Sequence, residues 1–175
     1  MIRLPTRNAL SLGRARQRVR PLALWCIAAA VLVLAGAPAR ADFTAGLAAY
    51  DAGDYHTAAK EWLPLAEKGD ARAQVAVAGL YEAGLGVPRD YRAAAQWYRA
   101  AATQGDAVAA LNLGSYYRRG FGVERDPAMA FYWFSIATAA GNEWAKAQRD
   151  AVGATLTPAQ RQTAEKMLRD GRPSR

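Results

Sequence analysis

Few side chains in this sequence could do covalent chemistry. The only histidine is His56, the only cysteine is Cys26, and the serines beyond residue 41 are Ser115, Ser135 and Ser174. A nucleophile needs a base within hydrogen-bond reach and a third group to orient that base. All three serines lie far from His56 in sequence, and His56 falls in the first turn of a predicted helix, at a solvent-facing position. No local spacing assembles a triad, so no catalytic residue is assigned; an active site would have to be gathered from distant segments. A metal needs several His, Cys or clustered carboxylates at ligand spacing. One imidazole and scattered acids do not supply it, so neither a metal nor a cofactor is expected. Gly84-Leu85-Gly86 and Gly120-Phe121-Gly122 suggest a phosphate cradle at first sight, but no strand precedes them and no Lys-Ser/Thr pair follows. They read as turns.

The formal charge of +8 invites a nucleic-acid partner until its distribution is followed along the chain. Residues 1–41 hold seven arginines (Arg3, Arg7, Arg14, Arg16, Arg18, Arg20 and Arg40) and no acid, which leaves 16 basic against 15 acidic residues from 42 onward. The basicity therefore belongs to the leader, and no nucleic-acid partner is expected. That leader has the three regions of a secretory signal: a basic segment, an apolar run over 22–37, and the small-x-small site Ala39-Arg40-Ala41. Spanning a bilayer as a helix takes about 20 apolar residues. This run has 16, so 1–41 is expected to be a signal peptide, cleaved before Asp42, with only transient membrane contact. An uncleaved anchor is the other reading. The expected location is periplasmic or secreted. Cys26 lies in the leader, so the processed chain would contain no disulfide and would hold by packing alone.

The rest of the chain is organised by an internal repeat. Residues 71–106 and 107–142 agree at 12 of 36 positions. Four matches are alanines; the other eight are Tyr81/Tyr117, Gly84/Gly120, Gly86/Gly122, Val87/Val123, Arg89/Arg125, Asp90/Asp126, Trp97/Trp133 and Gly105/Gly141. A period of 20–50 residues marks a stacked array whose units cannot bury their apolar faces singly. Within each unit the pattern predicts two helices joined by a turn. In the helix over 71–83, Ala73, Val77, Leu80 and Tyr81 form one stripe, expected to be buried. The glycines end that helix, Val87 plugs the loop from below, and Asp90 caps the next helix. Asp126-Pro127 repeats the plan, with proline at the first helical position. Trp97 and Trp133 are expected to fill the space between helices kept close by Ala94, Ala101, Ala130 and Ala137.

A shortened unit precedes these two, over about 46–70. Tyr50, Gly53, Asp54 and Ala58 keep the pattern with five loop residues deleted, and Pro64 falls inside its second helix, where a kink is expected. Residues 143–153 begin a partial unit. Thr157-Pro158-Ala159-Gln160 has the form of a capping box and opens a last helix with the stripe Ala164, Met167 and Leu168. Residues 156–175 are expected to cap the array and end in a frayed tail. The expectation is an all-α fold: an α/α solenoid of about three antiparallel helix-pair repeats with a C-terminal capping helix, over 42–155 and beyond.

The run Leu113-Gly114-Ser115-Tyr116-Tyr117, then Gly120-Phe121-Gly122-Val123, Asp126, Ala130, Trp133, Ala137 and Gly141, resembles the Sel1-like repeat, a relative of the tetratricopeptide repeat. The unit before it departs slightly, with Val77-Ala78 in place of Leu-Gly. The resemblance covers about 46–150. It implies a solenoid whose inner surface binds other proteins, as an adaptor or assembly factor. Some exported relatives carry a disulfide in each repeat; this chain lacks those cysteines, so their activities are not carried over.

If the stripe at 73, 77, 80 and 81 is core, the opposite side of the first helices carries Arg72, Ala76, Gly79 and Glu82, matched by Val108, Asn112, Ser115 and Arg118 with Arg119 beside them. Arg72, Glu82, Asn112, Ser115, Arg118 and Arg119 are the candidate protein-binding residues. Their mixed charge suits an extended peptide or a partner helix better than a polyanion. The function expected is an exported protein-protein interaction scaffold or adaptor. The alternatives are a structural or assembly component of the cell envelope, and an enzyme or enzyme inhibitor.

Overall fold

The computed structural model describes residues 42–171. The leader over 1–41 with Cys26, and the tail over 172–175, lie outside the described residues. Among those described, eight helices follow one another: α1 (Phe43–Asp51), α2 (Tyr55–Glu67), α3 (Ala71–Ala83), α4 (Tyr91–Thr103), α5 (Ala107–Arg119), α6 (Pro127–Ala139), α7 (Glu143–Gly153) and α8 (Pro158–Asp170). No strand occurs among them. Each helix from α1 to α6 packs chiefly on the next in sequence, and α8 lies against α6. This is the helix-pair solenoid.

The short polar side chains set where the helices begin. Asp90 Oδ1 accepts the amides of Arg92 and Ala93 at 2.8 and 3.1 Å, and Asp126 Oδ1 those of Ala128 and Met129 at 2.9 and 3.1 Å. An N-cap of this kind satisfies amides that have no partner inside the helix. Asp42, Asp54, Asp70, Asp106 and Asn142 do the same, and Thr157 with Gln160 completes the expected capping box. Between pairs, one residue dipeptide both ends a helix and starts another. The amides of Asp70, Asp106 and Asn142 reach the carbonyls of Leu65, Ala101 and Ala137 at 3.0, 3.2 and 2.9 Å, each across a glycine at positive φ. α2 continues through Pro64 to Glu67.

Alanine sets the helix spacing. Ala58, Ala73, Ala94, Ala101, Ala109, Ala130, Ala137 and Ala145 are fully buried. The aromatic filling differs from expectation. Trp133 is 2 % exposed, but Trp97 is only partly buried, and so is Tyr81. The physical reason is their position: both rest against two apolar clusters at once, one built on α2 and α3 and the other running from α3 to α8. The fully packed aromatic column lies one residue further along the second helices, at Trp62, Tyr98 and Phe134. Gly114 makes room for it, since a Cβ there would come within 2.7 Å of the Phe134 ring.

Candidate protein-binding face

The seven-residue loops between first and second helices fix how one unit sits on the next. Gly84 and Gly120 take the left-handed conformation (φ 72° and 78°) as helix ends, and the amides of Asp90 and Asp126 donate to the carbonyls of Tyr81 and Tyr117 at 3.0 Å. The second glycines have another task. A Cβ on Gly86 would collide with the backbone of Tyr55 and His56, and one on Gly122 with Tyr91 and Arg92. Each loop thus lies directly on the start of the second helix in the preceding unit. Val87 and Val123 tuck into the two clusters beneath. Phe121 stacks on Tyr91 at 5.2 Å.

With the loops and the second helices holding the array, the first helices keep an open side. In α5, Ala109, Ala110, Leu113, Gly114, Tyr116 and Tyr117 are buried, while Val108, Asn112, Ser115 and Arg119 form a stripe at helical spacing that stays partly or fully exposed. Arg72 in α3, Val108 in α5 and Trp144 in α7 stand 36 residues apart at the second position of their helices, and all three are exposed. Trp144 is the extreme case, 81 % exposed.

Several of the sequence-expected residues on this side also have work inside the fold. Arg72 pairs with Asp70 at 3.3 Å and lies over the Phe43 ring. Glu82 is half-buried and accepts from the Tyr98 hydroxyl at 2.8 Å. Arg118 donates to Gln148 Oε1 at 2.6 Å, tying α5 to α7, and its guanidinium lies over Phe134. Arg119 is exposed above Phe121. Asn112 and Ser115 are half-buried in the stripe. The free positions are therefore Val108, Asn112, Ser115, Arg119 and Trp144. Sequence reasoning did not select Trp144, although the 36-residue step from Arg72 and Val108 leads to it.

A polar and aromatic knot lies at the base of this side. Tyr98 and Tyr116 meet edge to face at 5.6 Å, and Tyr91 and Phe121 close around Tyr116. Burial, and next the charge of Glu82, push both the Tyr98 and Tyr116 phenols well above the usual phenol range. They are neutral donors, not nucleophiles. Two further hydrogen bonds that the sequence did not announce cross between units: Gln104 Nε2 donates to Gln74 Oε1 at 2.8 Å, and Arg99 donates to the Tyr117 hydroxyl at 2.6 Å. Among the described residues no group of three or more His, Cys, Asp or Glu is placed to hold a metal. His56 is exposed, as its sequence position implied.

The Sel1 repeat family matches residues 71–106 and 107–142. No curated protein matches the chain. Among solved structures, it is similar to a protective antigen of uropathogenic Escherichia coli with an SLR fold. That likeness has a TM-score of 0.66 and 32% identity over 70% of this chain and 27% of the other. It is also similar to a Sel1 repeat protein from Oxalobacter formigenes, with a TM-score of 0.59 and 30% identity over 62% of this chain and 44% of the other. The chain thus spans less than half the length of either structure. The repeat period, the paired loop glycines and the capping aspartates fall on the very residues the family match covers, and the chain belongs with the Sel1-repeat proteins.

Proposed function

We propose that this chain is an exported interaction scaffold that holds an extended segment of a partner protein along the exposed stripe of its first helices. The observation that carries the reading is Trp144, a large aromatic left 81 % exposed in register with exposed Val108 and Arg72. Exposed aromatics on a rigid frame are typical anchors for a partner, and a row of sites one repeat apart suits an extended chain better than a small molecule. Sel1 repeats as a class serve as scaffolds, which supports binding over catalysis.

Export rests on the leader, and one contact in the fold is consistent with it. The backbone nitrogen of Asp42, the N-cap of α1, donates to Glu61 Oε2 at 3.1 Å. Cleavage before Asp42 would make that nitrogen a charged terminus and turn the hydrogen bond into an ion pair.

The test places a photo-crosslinking residue at 108 or 144 and exposes the chain to envelope extract. A protein captured from both positions, and lost when Asn112 and Arg119 are both changed to Glu with the helical circular-dichroism signal intact, supports the reading. Capture that survives the double substitution places binding elsewhere. Amino-terminal sequencing of the exported chain checks the leader; a start at Met1 overturns cleavage.

A further inference from the structure

The two loops dock in the same way, and the third place where such a loop would dock is uncovered. The loop of the second unit lies through Gly86 on Tyr55 and His56, and the loop of the third lies through Gly122 on Tyr91 and Arg92. Both landing points are the first two residues of a second helix, and the 36-residue step that relates them leads next to Pro127 and Ala128 at the start of α6. A seven-residue loop after α7 would land there. The chain has none: α7 is joined to α8 by residues 154–157, and α8 turns back to lie on α6. Two open grooves flank Pro127 in its stead. One, of about 440 Å³, runs between Tyr117, Met129 and Pro127 on one side and Gln160 of α8 on the other. The second, of about 210 Å³, lies between Pro127, Arg118, Val152 and Thr155. Arg125 lines both.

We propose that the grooves beside Pro127 form a third loop seat, which takes a glycine turn of the Gly-x-Gly-Val kind from a repeat unit on a partner chain. The ligand chemistry is read from the two occupied seats: a second glycine pressed on the helix backbone, where no Cβ fits, and an apolar residue on each side of it, Leu85 and Val87 or Phe121 and Val123. A second copy of this chain is a poor donor. Its own two loops are already docked, and its first unit joins α1 to α2 with only residues 52–54. The seat is separate from the first-helix stripe and stands or falls independently of it.

The probe is a synthetic peptide with the sequence of 120–126, Gly-Phe-Gly-Val-Glu-Arg-Asp, titrated into the full isotope-labelled chain and read by amide chemical shifts. The expected result is weak, saturable binding, with Kd on the order of 1 mM, and shifts confined to 125–129 and 151–160. The same peptide with its second glycine replaced by L-alanine is expected to bind at least about 10-fold more weakly. A second variant closes the seat in cis by replacing 154–157 with a seven-residue copy of 120–126. That chain should keep its helical signal and lose the peptide shifts. No shifts, equal shifts with the alanine peptide, shifts on the first-helix stripe, or undiminished binding to the folded cis variant would each overturn the proposal.

Discussion

The α1–α2 pair and the α5–α6 pair are built on one plan and end up with very different cores. In α6, Ala128, Met129, Ala130, Tyr132, Trp133, Phe134 and Ala137 are all buried, because α5, α7 and α8 cover it from different directions. In α1 the only buried residue is Gly46, while Leu47 and Tyr50 are exposed. That pair depends on Trp62, whose indole packs against Gly46, stacks on Phe43 at 5.6 Å and donates to the Phe43 carbonyl at 3.1 Å. Identical repeat positions therefore differ in worth according to how many neighbours the array supplies, as a nearest-neighbour description of solenoids requires.

The contrast is sharpest at its largest expected effect. Trp133→Ala should cost about 3–5 kcal/mol and unfold the α5–α8 region in calorimetry. Trp97→Ala, at a half-exposed site, should cost clearly less; equal losses in the two variants would break the comparison. Next come the loop glycines. Gly53 and Gly122 both have positive φ, 79° and 65°, but a Cβ at Gly53 meets nothing within 4 Å while one at Gly122 strikes the Tyr91 backbone. Gly53→Ala should cost about 1–2 kcal/mol from the left-handed conformation alone, and Gly122→Ala measurably more in the same urea titration. Smaller again is Asp126→Ala, expected to remove about 1 kcal/mol through lost capping. An unchanged denaturation midpoint would show the α6 cap to be redundant.

The last prediction is silent at neutral pH. Tyr98 has a raised folded-state pKa, first from burial and then from Glu82, so its contribution is fully present below the unfolded phenol value, about 10, and is lost as pH rises beyond it. The melting temperature should fall in strong alkali, and less steeply in Tyr98→Phe. Asp70 runs the other way. Burial raises its pKa, but its bonds with Arg72 and the Ala73 amide outweigh that and leave it lowered. Its contribution is present above the unfolded aspartate value and fades as pH drops through the folded one.

The helices, the caps and the loops were legible in the sequence because each depends on one residue type at a fixed offset. Only glycine reverses the chain at 84 and 120, and an aspartate begins both helices that follow, so identity between repeats exposes them. The aromatic column at Trp62, Tyr98 and Phe134 was missed for the opposite reason. Any large ring fills that space, so the residues differ at every step, and a comparison by chemical class would have found them. The overestimate of Trp97 has the same root: it matches Trp133 by identity, yet burial depends on which helices arrive to cover the site. Glu82 and Arg118 were placed on the open side, but their bonds to Tyr98 and Gln148 span 16 and 30 residues, and no local spacing signals them.

Packing of each helix on its immediate successor also governs how the array comes together and how it yields. Most apolar partners lie within one repeat of each other, so forming them closes only short stretches of chain and should be fast. Order would nucleate in the well-covered α5–α6 stretch and zip outward, with α1 joining last. Pulled from its ends, such a molecule would give way in steps, α1 and α2 first, and would so act as a graded spring between whatever it joins.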